Sequence, residues 1–332
     1  MAEKSPTLSP AQSSKKSIKN IIGTQFLEQH EIRFLLDTAK KFAPFVKEGA
    51  NLPLLQGKTI VNLFFENSTR TRTSFELATR KLGGSTLNFA SSSSSTQKGE
   101  SLVDTARNIE AMRPDCLVVR HSSAGSPMIL AHSVSVPVVN AGDGFHEHPT
   151  QALLDAYTIE EKLGSIQGKK IVILGDIAHS RVARSNIYLL KKLGAEVIVC
   201  GPPTLLPPYA ESFGVEHCYR LEDALPHADV VMALRIQLER QNQMQFPTIS
   251  EYSKFWGIGR DKARLIKKDA IILHPGPVNR GVELDPEVAD GPRSVILDQV
   301  FNGVMIRMAV LAWVCNPVGL ENWIQSNPSV KK

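Results

Sequence analysis

The run Phe64-Phe65-Glu66-Asn67-Ser68-Thr69-Arg70-Thr71-Arg72-Thr73 decides how the rest of the chain is read. It joins two patterns. Upstream, Thr59 to Phe65 is short, nearly continuous in apolar residues and rich in β-branched and aromatic side chains, as expected of a strand buried on both faces. Downstream, Ser74 to Leu82 has Phe75, Ala78 and Leu82 on one helical face, Arg80 and Lys81 in the last turn, and Gly83 to end it. A helix starting near Ser68 or Thr69 aims unpaired N–H groups and its positive dipole end out of the strand's carboxyl end, an anion-binding arrangement. Arg70 and Arg72 sharpen that expectation, because a cation in a first helical turn is unfavourable by about 0.3–1 kcal/mol. An oxyanion in the site would compensate both.

Working outward, 332 residues are enough for two domains with separate cores. Before them, residues 1–17 carry Ser, Pro, Lys and Gln with little to bury, and are expected to be a disordered extension. Apolar positions from Phe26 to Phe42 predict one or two amphipathic helices. After the first helix, strands are expected at Ser85 to Ala90, Asp115 to Val119 and Val134 to Val139, with a helix from Ser101 to Met112. Strand and helix alternating in this way predict a parallel sheet with right-handed crossovers. His148-Pro149-Thr150-Gln151 opens a helix to about Leu163, taken as the domain boundary. Further strands are expected at Ile171 to Leu174, Glu196 to Cys200, Val230 to Leu234 and Ala270 to Leu273, and helical pieces at Leu221 to Leu225 and Tyr252 to Trp256. A long helix is expected over Val300 to Val314. The predicted class is therefore α/β: two domains, each with a mostly parallel sheet flanked by helices, and a site in the cleft between them.

Composition excludes several function classes. The charge of +5 is modest and interspersed, without the basic stripe and aromatic platforms of a nucleic-acid binder. A small anionic substrate suits the mild excess of cations better. No apolar run reads as long enough to cross a bilayer, and the N-terminus has no apolar core of a signal peptide, so a cytoplasmic location is the default. Cys116, Cys200, Cys218 and Cys315 stand far apart with no C-x-x-C, and read as reduced core residues. Gly175-Asp176 after a strand invites a dinucleotide reading that fails on spacing, since Ile177, Ala178 and His179 supply no further glycine. His146 and His148 lack the i, i+4 spacing of a metal pair. Neither cofactor nor metal is expected.

Ser68-Thr69-Arg70-Thr71-Arg72 resembles the carbamoyl-phosphate signature of the aspartate and ornithine carbamoyltransferase family, and further matches extend the resemblance from about Ile18 to Ile324. It implies that Ser68, Thr69, Arg70 and Thr71 bind carbamoyl phosphate, and that Arg120 bonds both its phosphate and its carbonyl oxygen. Ala141-Gly142-Asp143-Gly144 through Gln151 is similar to another family motif, in which His148 donates to the carbonyl oxygen and Gln151 holds the carbamoyl amino group. The family implies that Lys98, with Ser94, reaches from a serine-rich loop into a neighbouring subunit's site, hence a trimer; composition alone would make that loop a plain linker. Lys98, Arg181, Arg235 and Gln237 match the aspartate side, and two arginines on separate strand ends suit a dicarboxylate. The segment Arg235 to Arg240 resembles the family's aspartate-binding segment. His274-Pro275-Gly276-Pro277 lacks the cysteine of the ornithine enzymes. It also departs from the family's His-Pro-Leu-Pro, so Gly276 and Pro277 are expected to contribute backbone contacts to the carbamoyl group.

The resemblance thus implies a carbamoyl-phosphate domain at 18–150, completed by a C-terminal helix over 298–332, and an aspartate domain at 151–297. The implied reaction is carbamoyl transfer from carbamoyl phosphate to L-aspartate, giving N-carbamoyl-L-aspartate and phosphate, the committed step of pyrimidine biosynthesis. Arg70, Thr71, Arg120 and His148 would carry the catalysis. A larger assembly with regulatory chains or a dihydroorotase is left open.

Overall fold

The computed structural model describes residues 19–90, 100–207, 210–236 and 248–328. Two domains are present, each a parallel sheet flanked by helices. In the first, β1 (Thr59–Phe64), β2 (Ser85–Ala90), β3 (Cys116–His121) and β4 (Val138–Asp143) lie in the order β2-β1-β3-β4. Its helices are α1 (Gln29–Lys47), α2 (Thr69–Lys81), α3 (Leu102–Ala111) and α4 (Ser126–Ser133), and α5 (Pro149–Leu163) leads from this sheet to the next, packing on both β4 and α6. In the second, β5 (Lys170–Leu174), β6 (Glu196–Cys200), β7 (Glu216–Cys218), β8 (Val230–Ala233) and β9 (Ile271–Leu273) run in the order β7-β6-β5-β8-β9. With them go α6 (Arg181–Lys192), α7 (Leu221–Ala224), α8 (Ile249–Trp256), α9 (Arg260–Ala263) and α10 (Pro286–Ala289). The chain closes with α11 (Ile296–Cys315) and α12 (Pro317–Ser326).

The strands read as apolar because both faces are covered. Ile60, Val61, Leu63 and Phe64 are all buried in β1, as parallel sheets between helical layers require. The exception is Asn62, which donates to Asn88 Oδ1 at 3.0 Å across the pair it is registered with in β2. Helix α2 buries Phe75, Ala78 and Thr79 and stops before Gly83, whose φ of 78° is the left-handed value that glycine adopts freely.

Several sequence expectations shift. The strand placed at Val134 to Val139 begins at Val138: α4, with Pro127 in its first turn, runs from Ser126 to Ser133, and the chain bends before Pro137. Arg120 lies at the end of β3, which runs on to His121, and the β3–β4 register shifts beside it, β4 carrying the extra residue between Asn140 and Asp143. Such a bulge re-aims a side chain at the end of a sheet. Arg181 is the first residue of α6. Cys200 and Cys218, distant in sequence, are free thiols 3.7 Å apart on neighbouring strands. By length and composition α11 does qualify to cross a bilayer, contrary to expectation. Its residues from Met305 to Val314 are instead buried, against α1, α2 and α5. The last long helix therefore returns to the first domain.

Candidate active site

Both sheets present their carboxyl ends to one cavity of about 520 Å³, the usual ligand position in open parallel sheets. From the first sheet, the β1–α2 turn brings Glu66, Ser68, Thr69, Arg70 and Thr71, the end of β3 brings Arg120, and the start of α5 brings His148 and Gln151. From the second come Ser180 and Arg181 at the start of α6, Arg235 after β8, and His274 to Pro277 after β9. Ser74 of α2 and Gln299 and Arg307 of α11 complete the wall.

The α2 N-terminus is built for an anion. Ser68 makes no side-chain cap, so the first N–H groups of the helix lack the usual partner. Arg70 stands at the exposed face of the cleft; partial desolvation and the Arg235 guanidinium lower its pKa. Two arginines drawn from different domains thus face one another. A Cβ on Gly276 would collide with Arg70 Nη1, and φ there is 67°. Glycine is what lets the guanidinium lie against this turn. Arg72 does not join the cavity but lies 3.6 Å from Glu76 on the outer face of α2. Of the two signature arginines, only Arg70 lines the cavity.

Glu66 is the carboxylate among these cations. It accepts from Arg120 Nη2 at 2.7 Å and from Arg181 Nη2 at 2.8 Å, tying the two domains across the cleft. The same guanidiniums donate to backbone carbonyls, Arg120 to Ala141 at 3.1 Å and Arg181 to Gly144 at 3.2 Å. Both arginines are buried.

His148 is 4% exposed, and its Nδ1 is buried without a hydrogen-bond partner. Burial, reinforced by Arg120, Arg181 and Arg307, holds its imidazole well below the ordinary histidine pKa. It is a neutral ring at neutral pH, able to donate from one nitrogen only. Its backbone N–H donates to Ser185 Oγ at 2.8 Å, and Ser185 donates to Glu147 Oε2 at 2.7 Å. Glu147 also accepts from Thr24 N at 2.7 Å. The start of α5 is thereby fixed to α6 and to the N-terminal segment. Behind it, Gln151 Nε2 donates to Asp155 Oδ1 at 2.9 Å. On the far wall His274 Nδ1 accepts from Gly276 N at 2.8 Å, so its Nε2 carries the proton toward Glu283 Oε1, 3.1 Å away.

Residues 19–161 match the aspartate/ornithine carbamoyltransferase carbamoyl-P binding domain. Residues 167–314 match that family's Asp/Orn binding domain. The chain belongs to the aspartate/ornithine carbamoyltransferase family. Within it, the aspartate carbamoyltransferase catalytic subunit of Syntrophotalea carbinolica is 53% identical, over 92% of this chain and 98% of that protein. The one from Myxococcus xanthus is 52% identical, over 89% and 98%. Among solved structures, aspartate transcarbamoylase from Trypanosoma cruzi in complex with carbamoyl phosphate and aspartate superposes with a TM-score of 0.82 at 32% identity, over 89% of this chain and 96% of that one. Ornithine carbamoyltransferase from Pyrococcus furiosus gives 0.81 at 32% identity, over 90% and 98%. Backbone similarity alone does not separate the two branches of the family.

Of the residues expected from sequence, Ser68, Thr69, Arg70, Thr71, Arg120, His148, Gln151, Arg181, Arg235, Gly276 and Pro277 line the one cavity. Ser94, Lys98, Gln237 and the N-terminal extension fall outside the described residues. Sequence reasoning missed Glu66, Ser74, Asp155, Gln299 and Arg307. Glu66 sits inside the signature itself. Arg307 and Asp155 had a readable signal, each being a lone charge in a helical stretch otherwise apolar or neutral.

Proposed function

We propose that this chain transfers the carbamoyl group of carbamoyl phosphate to the α-amine of L-aspartate, giving N-carbamoyl-L-aspartate and phosphate. The observation that carries this reading is the meeting of Arg70, Arg120, His148 and Gln151 from one sheet with Arg181 and Arg235 from the other in a single cavity. Among the described residues, five arginines counter one lining carboxylate there, Glu66. That charge balance fits two anionic substrates. The relatives at 53% and 52% identity, both aspartate carbamoyltransferase catalytic subunits, support aspartate over ornithine as acceptor.

Carbamoyl phosphate sits at the α2 N-terminus, its phosphate on Ser68, Thr69 and Arg70. Thr71, Arg120 and neutral His148 donate to its carbonyl oxygen, and Gly276 and Pro277 supply backbone contacts. The aspartate carboxylates fall to Arg181 and Arg235, with Gln237. The amine lone pair attacks the carbonyl carbon, the carbonyl oxygen gains charge, and the bond to the phosphate oxygen breaks as the carbonyl re-forms. The departing phosphate takes the amine proton. Positioning supplies roughly 7–11 kcal/mol of such a barrier, and each donor to the developing oxyanion about 2.7–4 kcal/mol. Lys98 and Ser94 enter from the adjacent chain of a homotrimer. The carbamoyl-phosphate domain spans 18–150 with 298–332, and the aspartate domain 151–297.

Phosphate release from carbamoyl phosphate with aspartate, set against ornithine, tests the reading. Turnover with aspartate alone is expected; turnover with ornithine alone overturns it. Arg235→Ala should raise KM for aspartate at least about tenfold and leave carbamoyl phosphate binding nearly unchanged.

A further inference from the structure

Gln151 offers the cavity one end of its amide, and the two ends are opposite in hydrogen-bonding sense: one accepts, the other donates. Which end faces inward is decided two layers back. Asp155 is fully buried and receives three side-chain amides: Gln151 Nε2 at 2.9 Å and Gln299 Nε2 at 2.7 Å on Oδ1, and Asn186 Nδ2 at 2.8 Å on Oδ2. Two of these amides are oriented by backbone. Gln299 must turn Oε1 to the His274 N–H, 2.9 Å away, and Asn186 must turn Nδ2 to the Val182 carbonyl, 3.0 Å away. Both are therefore obliged to donate to Asp155, which must accept on both oxygens. A carboxylate that accepts on both oxygens leaves Gln151 only its NH₂ to offer in that direction. Its Oε1 is then the end turned to the cleft.

We infer that Asp155 is a positioning residue that sets Gln151 as an acceptor, so that the site selects an acyl phosphate bearing N–H on its carbonyl carbon. This rests on the reading that the cleft holds carbamoyl phosphate, and adds what makes it prefer that substrate to the same molecule with a methyl in place of the amino group. Of the elements packed on Asp155, α5 and α6 present neutral amides, and α11 presents Gln299 and the cation Arg307. Burial raises the carboxyl to about 6, against the pull of the three amides and Arg307, which leaves it ionised at neutral pH. An ionised carboxylate is what the amide orientations require.

Acetyl phosphate is the probe, because it keeps the phosphate and the carbonyl and lacks the amino group. Affinities for carbamoyl phosphate and acetyl phosphate are measured by calorimetry near neutral pH on the unaltered chain, Asp155→Leu, Asp155→Asn, Gln151→Ala and the Gln151→Ala/Asp155→Leu double variant. The unaltered chain should prefer carbamoyl phosphate by roughly tenfold or more. Asp155→Leu, which removes every acceptor, should lose most of that preference, and Asp155→Asn, which keeps one, should lose a smaller part. Gln151→Ala should abolish it, and adding Asp155→Leu should change the ratio no further. A general loosening of α5 would weaken both ligands alike and leave the ratio unmoved. Either Asp155 variant, once shown to melt cooperatively, overturns the inference by keeping the original ratio, as does a double variant whose ratio falls beyond that of Gln151→Ala. An unaltered chain that binds neither compound removes the proposed function itself, and this inference with it.

Discussion

Arg70 is the side chain whose removal separates chemistry from folding most cleanly. It is exposed on the cleft wall, so Arg70→Ala is expected to lower kcat/KM by roughly 10²–10³ while the melting temperature stays within a degree or two. Steady-state kinetics beside a thermal melt checks this. Asp155 has the opposite character, and the sign of its effect is unusual for a carboxylate. Its pKa of about 6 in the fold lies above the 3.8 of a free aspartate. Between roughly pH 4 and pH 6 the folded chain holds a proton that the unfolded chain releases, so stability falls as pH rises through that window. The full difference is on the order of 3 kcal/mol. Denaturant unfolding across this range should show that slope in the unaltered chain and a flatter one in Asp155→Asn. A buried ionised group retained despite such a penalty is what a site residue looks like.

At the level of elements, strands and helices that carry strong periodicity were legible in advance. Strand β2 and the start of α5 fall where alternation and Pro149 put them. What local pattern does not encode is partner geometry. The extra residue of β4 opposite Arg120 is a relation between β3 and β4 that neither strand contains alone. The same holds for the site: hydroxyls and arginines of the signature are readable as an anion cradle, whereas Glu66 and Arg307 acquire their roles only when distant segments meet. Arg72 shows the converse error, since a cation near a helix start was counted for the anion although Glu76, four residues on, satisfies it. Helix α6 gives a test at this scale. Ser180 Oγ accepts from Ala183 N at 3.1 Å and caps the helix that begins with Arg181. Ser180→Ala should cost about 1 kcal/mol, or roughly 2 °C in melting temperature. Calorimetric melting measures it.

For the molecule as a whole, the trimer reading makes its own prediction. If Lys98 of one chain completes the cavity of the next, Lys98→Ala and Arg70→Ala preparations, each nearly inactive, should regain activity when their subunits are exchanged. Sites that draw both residues from intact chains would account for the gain. Failure to recover after exchange is verified by mass would show that each cavity is complete within one chain. The core itself is continuous through both domains: side chains from α1, β1, α2 and β3 pack in one cluster with those of β5, α6, β8 and α11. That α11 packs on α1 and α2 although most of the chain is made before it bears on how the polypeptide is born. At a translation rate of about 5–20 residues per second, many seconds pass between the emergence of β4 and that of α11. The pocket awaiting Met305, Ile306 and Met308 stays uncovered for that time, a greasy gap on a nascent chain still tethered to the ribosome. A stop codon shortly before Ile296 would therefore harm the amino-terminal half, which it leaves untouched in sequence, more than the half it truncates.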